Sequence, residues 1–150
     1  MIALNQQQLT EIREHGQRDY PFECCGLLIG SFEQGGRKIV VETYPISNAR
    51  EEEAKRNRFL IQPDELLRGE RYAVKKKLDV IGFYHSHPDS PAVPSKYDLD
   101  HAWPTYSYII VSVKNEHAED LLSWEMEADR SRFNEEEVQV QIHQTFPKGS

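Results

Sequence analysis

A chain of 150 residues, 38% hydrophobic and 29% charged, has room for one domain and is too short for a (β/α)₈ barrel, which needs about 250 residues. Its 25 Asp and Glu against 18 Lys and Arg give a formal net charge of −7, the wrong sign for a surface built to neutralise phosphates, so no nucleic-acid partner is expected. No apolar run approaches the ~18 residues of a membrane span, and the first residues lack the basic and apolar regions of a secretion signal, so no membrane partner is expected either. The two cysteines, Cys24 and Cys25, are adjacent and cannot staple a fold, which points to a reducing, cytoplasmic compartment. Residues 1–75 carry 11 basic and 12 acidic side chains, residues 76–150 only 7 and 13. With His85 and His87 in the more acidic half a cation site is conceivable, although such a half is more often solvated surface.

In chain order, Asn5 can cap a helix over about 5–18, with Leu9 and Ile12 three apart and Gly16 then Pro21 marking its end. The run 24–30 (Cys-Cys-Gly-Leu-Leu-Ile-Gly) reads as a strand buried on both faces. The turn signal Glu33-Gln34-Gly35-Gly36 would join it in a hairpin to the β-branched run 39–44. Seven of the nine residues from Arg50 to Arg58 are charged, which reads as a solvated loop. Pro63 at N1, Asp64 and Glu65 in the first turn and Lys75, Lys76 and Lys77 in the last predict a second helix ending before Asp79.

The strand 80–84 runs directly into His85-Ser86-His87; a proline-rich loop follows, then a short helix from Ser95 to near Trp103. Residues 106–113 carry the strongest strand signal, and 121–126 and 138–142 read as half-exposed strands. Strands outnumber helices about two to one, which predicts an α+β fold: a mixed, mainly antiparallel sheet flanked by helices, as one domain over 1–147 with a tail at 148–150.

In an extended chain His85 and His87, two residues apart, point to one face at ~6.6 Å separation, so two imidazoles can converge on one ion. A third ligand is required, and Asp89, Asp98, Asp100 and His101 are near in sequence. Asp89 is discounted, because the His-x-His-x-Asp-His pattern of metallo-β-lactamase-like hydrolases would need His at position 90, where Ser stands. Ser95-x-x-Asp98 also fits a helix capping box, so from local sequence a structural and a chemical reading of these two residues stand side by side.

The string His85-Ser86-His87-Pro88, six residues, Ser95, two residues, Asp98, together with the upstream 21–30 segment around Glu23, resembles the JAMM signature of MPN-domain zinc metalloproteases. The resemblance extends from the first helix to about Val113. It implies an MPN/JAMM-like, cytidine-deaminase-like fold and one Zn²⁺ held by His85, His87 and Asp98, three ligands that leave a position for a water acidified toward a pKa of roughly 7. It further implies Glu23 as general base and Ser95 as hydrogen-bond donor to the oxyanion. The implied activity is hydrolysis of a peptide or isopeptide bond at the extended C-terminal tail of a ubiquitin-like or sulfur-carrier β-grasp protein, and residues 50–58 are a candidate substrate-contacting flap.

The other polar and aromatic residues have plainer readings: His101 as a surface histidine, Cys24 and Cys25 as buried small hydrophobes on opposite faces, Trp103 and Trp124 as core. Two rival functions compete with this one. A non-catalytic MPN scaffold would typically have lost the ligands, and a zinc nucleobase deaminase would need His-x-Glu and Pro-Cys-x-x-Cys, which this chain lacks.

Overall fold

The computed structural model describes residues 1–48 and 61–142. The charged stretch 50–58 and the tail 148–150 therefore lie outside the described residues, apart from which the elements follow in chain order. They are β1 (Ile2–Asn5), α1 (Gln6–Asp19), β2 (Cys25–Phe32), a 3₁₀ turn at Gln34–Gly36 and β3 (Lys38–Ile46). After these come α2 (Pro63–Lys75), β4 (Asp79–Pro88), α3 (Lys96–His101), β5 (Ser107–Lys114), β6 (His117–Met126), β7 (Phe133–Glu136) and β8 (Val138–Gln141).

The helices start where their caps dictate. Asn5 and Gln8 form a reciprocal capping box at α1, and Pro63 opens α2 with Asp64 and Glu65 in its first turn. Gly16 does not end α1, which runs on to Asp19. It is a point of close approach instead: a Cβ there would stand 3.0 Å from Val113 Cγ2 and 3.3 Å from Ser86 Cβ.

The strands form one sheet in the order β7-β6-β5-β4-β2-β3-β1-β8. The expected β2–β3 hairpin is present and antiparallel; β4–β5, β1–β3 and β1–β8 are parallel, and the other pairs antiparallel. Only Glu137 separates β7 from β8, yet these strands stand at opposite ends of the order, so the sheet must curl until its two edges meet. α1 sits in the curl against β1, β3, β4, β5 and β6, with Leu9 and Ile12 in a core shared with Ile2, Leu28, Tyr84, Ile109 and Val111. α2 covers the other face through Ala73, over Cys25, Leu27, Ile29 and Val80. β2 is thus buried from both sides, as its continuous apolar run predicts.

Where the edges meet, Glu136 is 4% exposed and accepts hydrogen bonds from Ser107 Oγ (2.6 Å) and Ser123 Oγ (2.9 Å), while Lys38 Nζ lies 3.3 Å from its other oxygen and also bonds Glu125. One carboxylate ties β3, β5, β6 and β7 together. The acidic second half is therefore not all solvated. Among the described residues, no helix is long and apolar enough to cross a membrane.

Candidate metal centre

β4 continues through Pro88, so both histidines are strand residues, with His85 paired to Cys25 on β2 and to Ile110 on β5. Their neighbours Tyr84 and Ser86 face α1, where Tyr84 Oη meets His15 Nδ1 at 2.7 Å, and the alternation of a strand turns His85 and His87 to the opposite face. α3 brings in Asp98. His85 Nε2 lies 3.1 Å from Asp98 Oδ1, His87 Nε2 3.1 Å from Asp98 Oδ2, and the two Nε2 atoms 3.2 Å from each other. All three side chains are buried, and one donor atom from each lies within 4.8 Å of the others.

The capping box is present as well. Ser95 Oγ accepts from Asp98 N (3.1 Å) and Asp98 Oδ2 accepts from Ser95 N (2.8 Å). The two readings left open by the sequence coexist: the cap fixes the same carboxylate that faces the histidines.

The hydrogen-bond pattern bears on whether a cation fits. His87 Nδ1 is 2.9 Å from the Pro91 carbonyl, which can only accept, so Nδ1 carries a proton. In neutral His87 the Nε2 lone pair then points at the Asp98 carboxylate, an acceptor facing an acceptor, which a cation between them would resolve. An imidazole oriented by a backbone carbonyl through its far nitrogen is the usual outer support of a metal-ligating histidine. Burial lowers the pKa of His85, opposed by the charge of Asp98, and so favours the neutral imidazole a metal requires. Burial alone would raise the Asp98 carboxyl, but the charge of and hydrogen bond from the adjoining His85, with the hydrogen bond from Ser95 N, hold it well below the usual carboxylate range. The donor set of two neutral nitrogens and one carboxylate suits a divalent ion such as zinc.

Glu23 lies in the short link between α1 and β2 and is 3% exposed, not the surface glutamate a strand start would ordinarily carry. The link is stitched to the strand between the histidines by Cys24 N to Ser86 Oγ (2.8 Å) and Ser86 N to Cys24 O (3.2 Å), and Asn48 Nδ2 donates to Glu23 O (3.0 Å). Burial, with the Asp98 charge adding to it, pushes the Glu23 carboxyl up to about 9. Glu23 is outside the converging donor group and borders a cleft of about 230 Å³ shared with His87, Pro91, Val93 and Ser95.

Asp89 stays out of the donor group. Its carboxylate accepts from Tyr20 Oη (2.6 Å) and Asn115 N (3.1 Å), tying the loop after His87 to the end of α1 just ahead of Glu23. Trp124 is half-buried, and its Nε1 donates to Ala92 O (3.0 Å), bracing the same loop. These supports span 69 and 32 residues of sequence, and no local pattern announces them. Trp103 corrects the expectation of a core residue: it is 59% exposed, with the Arg130 guanidinium 4.9 Å from its ring centre, and lines a separate cleft of about 490 Å³ with Leu66, Phe83 and Tyr106. His101 is exposed and stacks on Tyr97 at 4.0 Å. Cys24 and Cys25 are fully buried on opposite faces, and burial raises both thiols, Cys24 to about 12, so neither offers a thiolate.

A desampylase from Haloferax volcanii is 36% identical over 105 residues, covering 69% of this chain and 72% of the relative. A CysO-cysteine peptidase from Mycobacterium tuberculosis is 30% identical over 111 residues, covering 73% and 72%. The solution structure of a protein from Desulfitobacterium hafniense matches with a TM-score of 0.83 at 30% identity, over 97% of this chain and 96% of that one. The family model described as prokaryotic homologs of the JAB domain matches residues 5–127, and the chain belongs to that family.

Proposed function

We propose that the protein is a zinc-dependent peptidase or isopeptidase that cleaves an amide bond at the extended C-terminal tail of a ubiquitin-like or sulfur-carrier β-grasp protein. The observation that carries this reading is the convergence of His85, His87 and Asp98 beside a buried glutamate that is not one of the three. The names of the relatives, a desampylase and a CysO-cysteine peptidase, supply the substrate class.

In this reading His85 Nε2, His87 Nε2 and the Asp98 carboxylate hold one zinc ion, which when bound acts as a Lewis acid and acidifies water. Glu23, whose carboxyl the charge of a bound cation would bring back down from the value that burial and Asp98 impose, takes a proton from the attacking water and returns it to the departing nitrogen. The water oxygen ends on the acyl carbon, the C–N bond breaks, and the products are a carboxylate and an amine. Ser95 Oγ, which accepts from Asp98 N, keeps its own proton for the oxygen of the carbonyl under attack. The Tyr20–Asp89 and Trp124–Ala92 bonds keep Glu23 and the proline-rich loop in place around the reacting group. A purely scaffolding protein would have no use for a buried carboxylate kept beside three converging donors.

The net charge and the reduced, buried cysteines support a cytoplasmic enzyme whose partners are proteins rather than nucleic acid or membrane. The test is incubation of zinc-loaded protein with β-grasp carriers extended beyond their C-terminus, read by mass. Release of the extension by wild type and not by Glu23→Gln is the expected result; no release from any extended carrier would overturn the reading.

A further inference from the structure

Glu23 borders two clefts of different chemistry. The first, about 230 Å³, contains His87 and Ser95 and is walled by Pro88, Pro91, Val93 and Pro94. The second, about 410 Å³, contains Arg18, Asp19, Tyr20, Phe22 and Asn48 and neither Ser95 nor any of the converging donors. Hydrolysis of an amide places its two halves differently. The carbonyl oxygen must lie against its hydrogen-bond donor at the cation site that His85, His87 and Asp98 would form, and the nitrogen must lie where the proton-returning group reaches it. The acyl half therefore falls in the first cleft. The departing amine, past Glu23, falls in the second.

Ser47 completes the lining of the second cleft, and three of its other polar side chains already have partners. Asp19 Oδ2 is 3.3 Å from His15 Nε2, Tyr20 Oη donates to Asp89, and Asn48 Nδ2 donates to the Glu23 carbonyl. Arg18, in the last turn of α1, is the only cation among the described residues lining this cleft, and no described residue forms an ion pair with it. A guanidinium presents a fork that matches a carboxylate. When the leaving group is a single amino acid, its α-carboxylate carbon is two bonds from the departing nitrogen. When the leaving group is a lysine side chain of another protein, no carboxylate lies there and the cation has nothing to bind.

We propose that the second cleft is the leaving-group subsite and that Arg18 makes it prefer an amine carrying a free α-carboxylate, a single amino acid, over a lysine ε-amine. This rests on the peptidase reading above and addresses the choice between peptide and isopeptide bonds that the reading leaves open.

The test uses the zinc-loaded full chain and three substrates built on one β-grasp carrier: a C-terminal amino acid, the same amino acid as its carboxamide, and an isopeptide to a lysine blocked at both ends. The readout is kcat/KM by mass for wild type, Arg18→Gln and Arg18→Lys. A charge-assisted contact at an exposed arginine corresponds to a preference of about tenfold for carboxylate over carboxamide. Wild type is expected to show that ratio and to cleave the isopeptide no better than the carboxamide. Arg18→Gln is expected to bring the ratio close to one, and Arg18→Lys to retain part of it. A wild-type ratio near one, or a ratio that Arg18→Gln leaves unchanged, overturns the subsite while leaving the peptidase reading intact. Cleavage of none of the three by folded, zinc-loaded wild type overturns both.

Discussion

Replacing Ser95 by glycine separates two roles that one hydroxyl plays. Ser95 Oγ accepts from Asp98 N at 3.1 Å, so removing it leaves one amide at the start of α3 without its cap. Alanine at an N-cap costs about 1 kcal/mol, whereas glycine costs only a few tenths. For a chain of this size the alanine cost is a fall of roughly 2–4 °C in Tm, and the glycine cost a degree or less. A hydroxyl has one proton to give besides its accepting lone pairs, and in the proposed mechanism that proton serves the oxyanion, a contribution worth about 10²–10³ in turnover. Ser95→Gly should therefore melt within about 1 °C of wild type, bind one zinc per chain, and turn over the extended carrier about 10²–10³ times more slowly. Thermal melting, metal analysis and saturating kinetics on the same preparation check all three. Turnover within a factor of two of wild type would refute the oxyanion role and leave Ser95 as a cap alone. Loss of zinc would show instead that the hydroxyl acts by holding Asp98.

Three further outcomes are expected. Glu23→Gln should abolish hydrolysis yet keep stoichiometric zinc, and a variant that lost the metal would place Glu23 among the ligands. His85→Ala should lose zinc and activity together; tight zinc retained after dialysis against chelator would sink the ligand assignment. Glu136→Gln leaves the buried Lys38 ammonium with Glu125 as its remaining side-chain partner and should cost about 3 kcal/mol in urea unfolding at neutral pH. Burial alone would raise the Glu136 carboxyl, but hydrogen bonds from Ser107 and Ser123 and the charge of Lys38 hold it below its ordinary 4.5. Its stabilisation is then fully present above about pH 4.5 and is lost as the pH falls through the lower folded value. The gap between wild type and variant should narrow over that acid range, and a gap constant from neutral pH into the acid range would refute the account.

The elements legible in the sequence are those whose pattern matches their surroundings. β2, β4 and β5 each carry a continuous apolar run, at 25–30, 80–84 and 108–111, because both faces of the central sheet are covered, and α1 and α2 announce themselves through Asn5, Pro63 and the acidic first turn of α2. The strands Ile2–Asn5 and Phe133–Glu136 escape notice because Ile-Ala-Leu-Asn and Phe-Asn-Glu-Glu show no alternation, unlike the equally short Val138–Gln141. Both exist through what surrounds them: β1 is held between β3 and β8, and β7 completes the edge that the curl brings round to β8. Glu136 reads in sequence as one more surface acid of an acidic half. Its role comes from partners on β3, β5 and β6, a closure that local composition does not encode.

The site divides along the same line. His85 and His87 were legible because two residues of extended chain put two side chains on one face whatever the fold around them. Glu23 was legible only as half of a paired motif, since its burial depends on the link from α1 being stitched to Ser86 across 62 residues. Ser95 and Asp98 resisted a choice for a physical reason. The capping box and the proposed ligand set both call for a carboxylate three residues after a serine, and one arrangement suits both, with Asp98 Oδ2 accepting from Ser95 N while lying 3.1 Å from His87 Nε2. The cap holds the carboxylate at a helix start, where it is turned toward the end of β4, and a donor held in advance pays less entropy when it binds. The local pattern was therefore ambiguous because its structural and chemical meanings are one design, and only the position of β4 against α3 makes that visible.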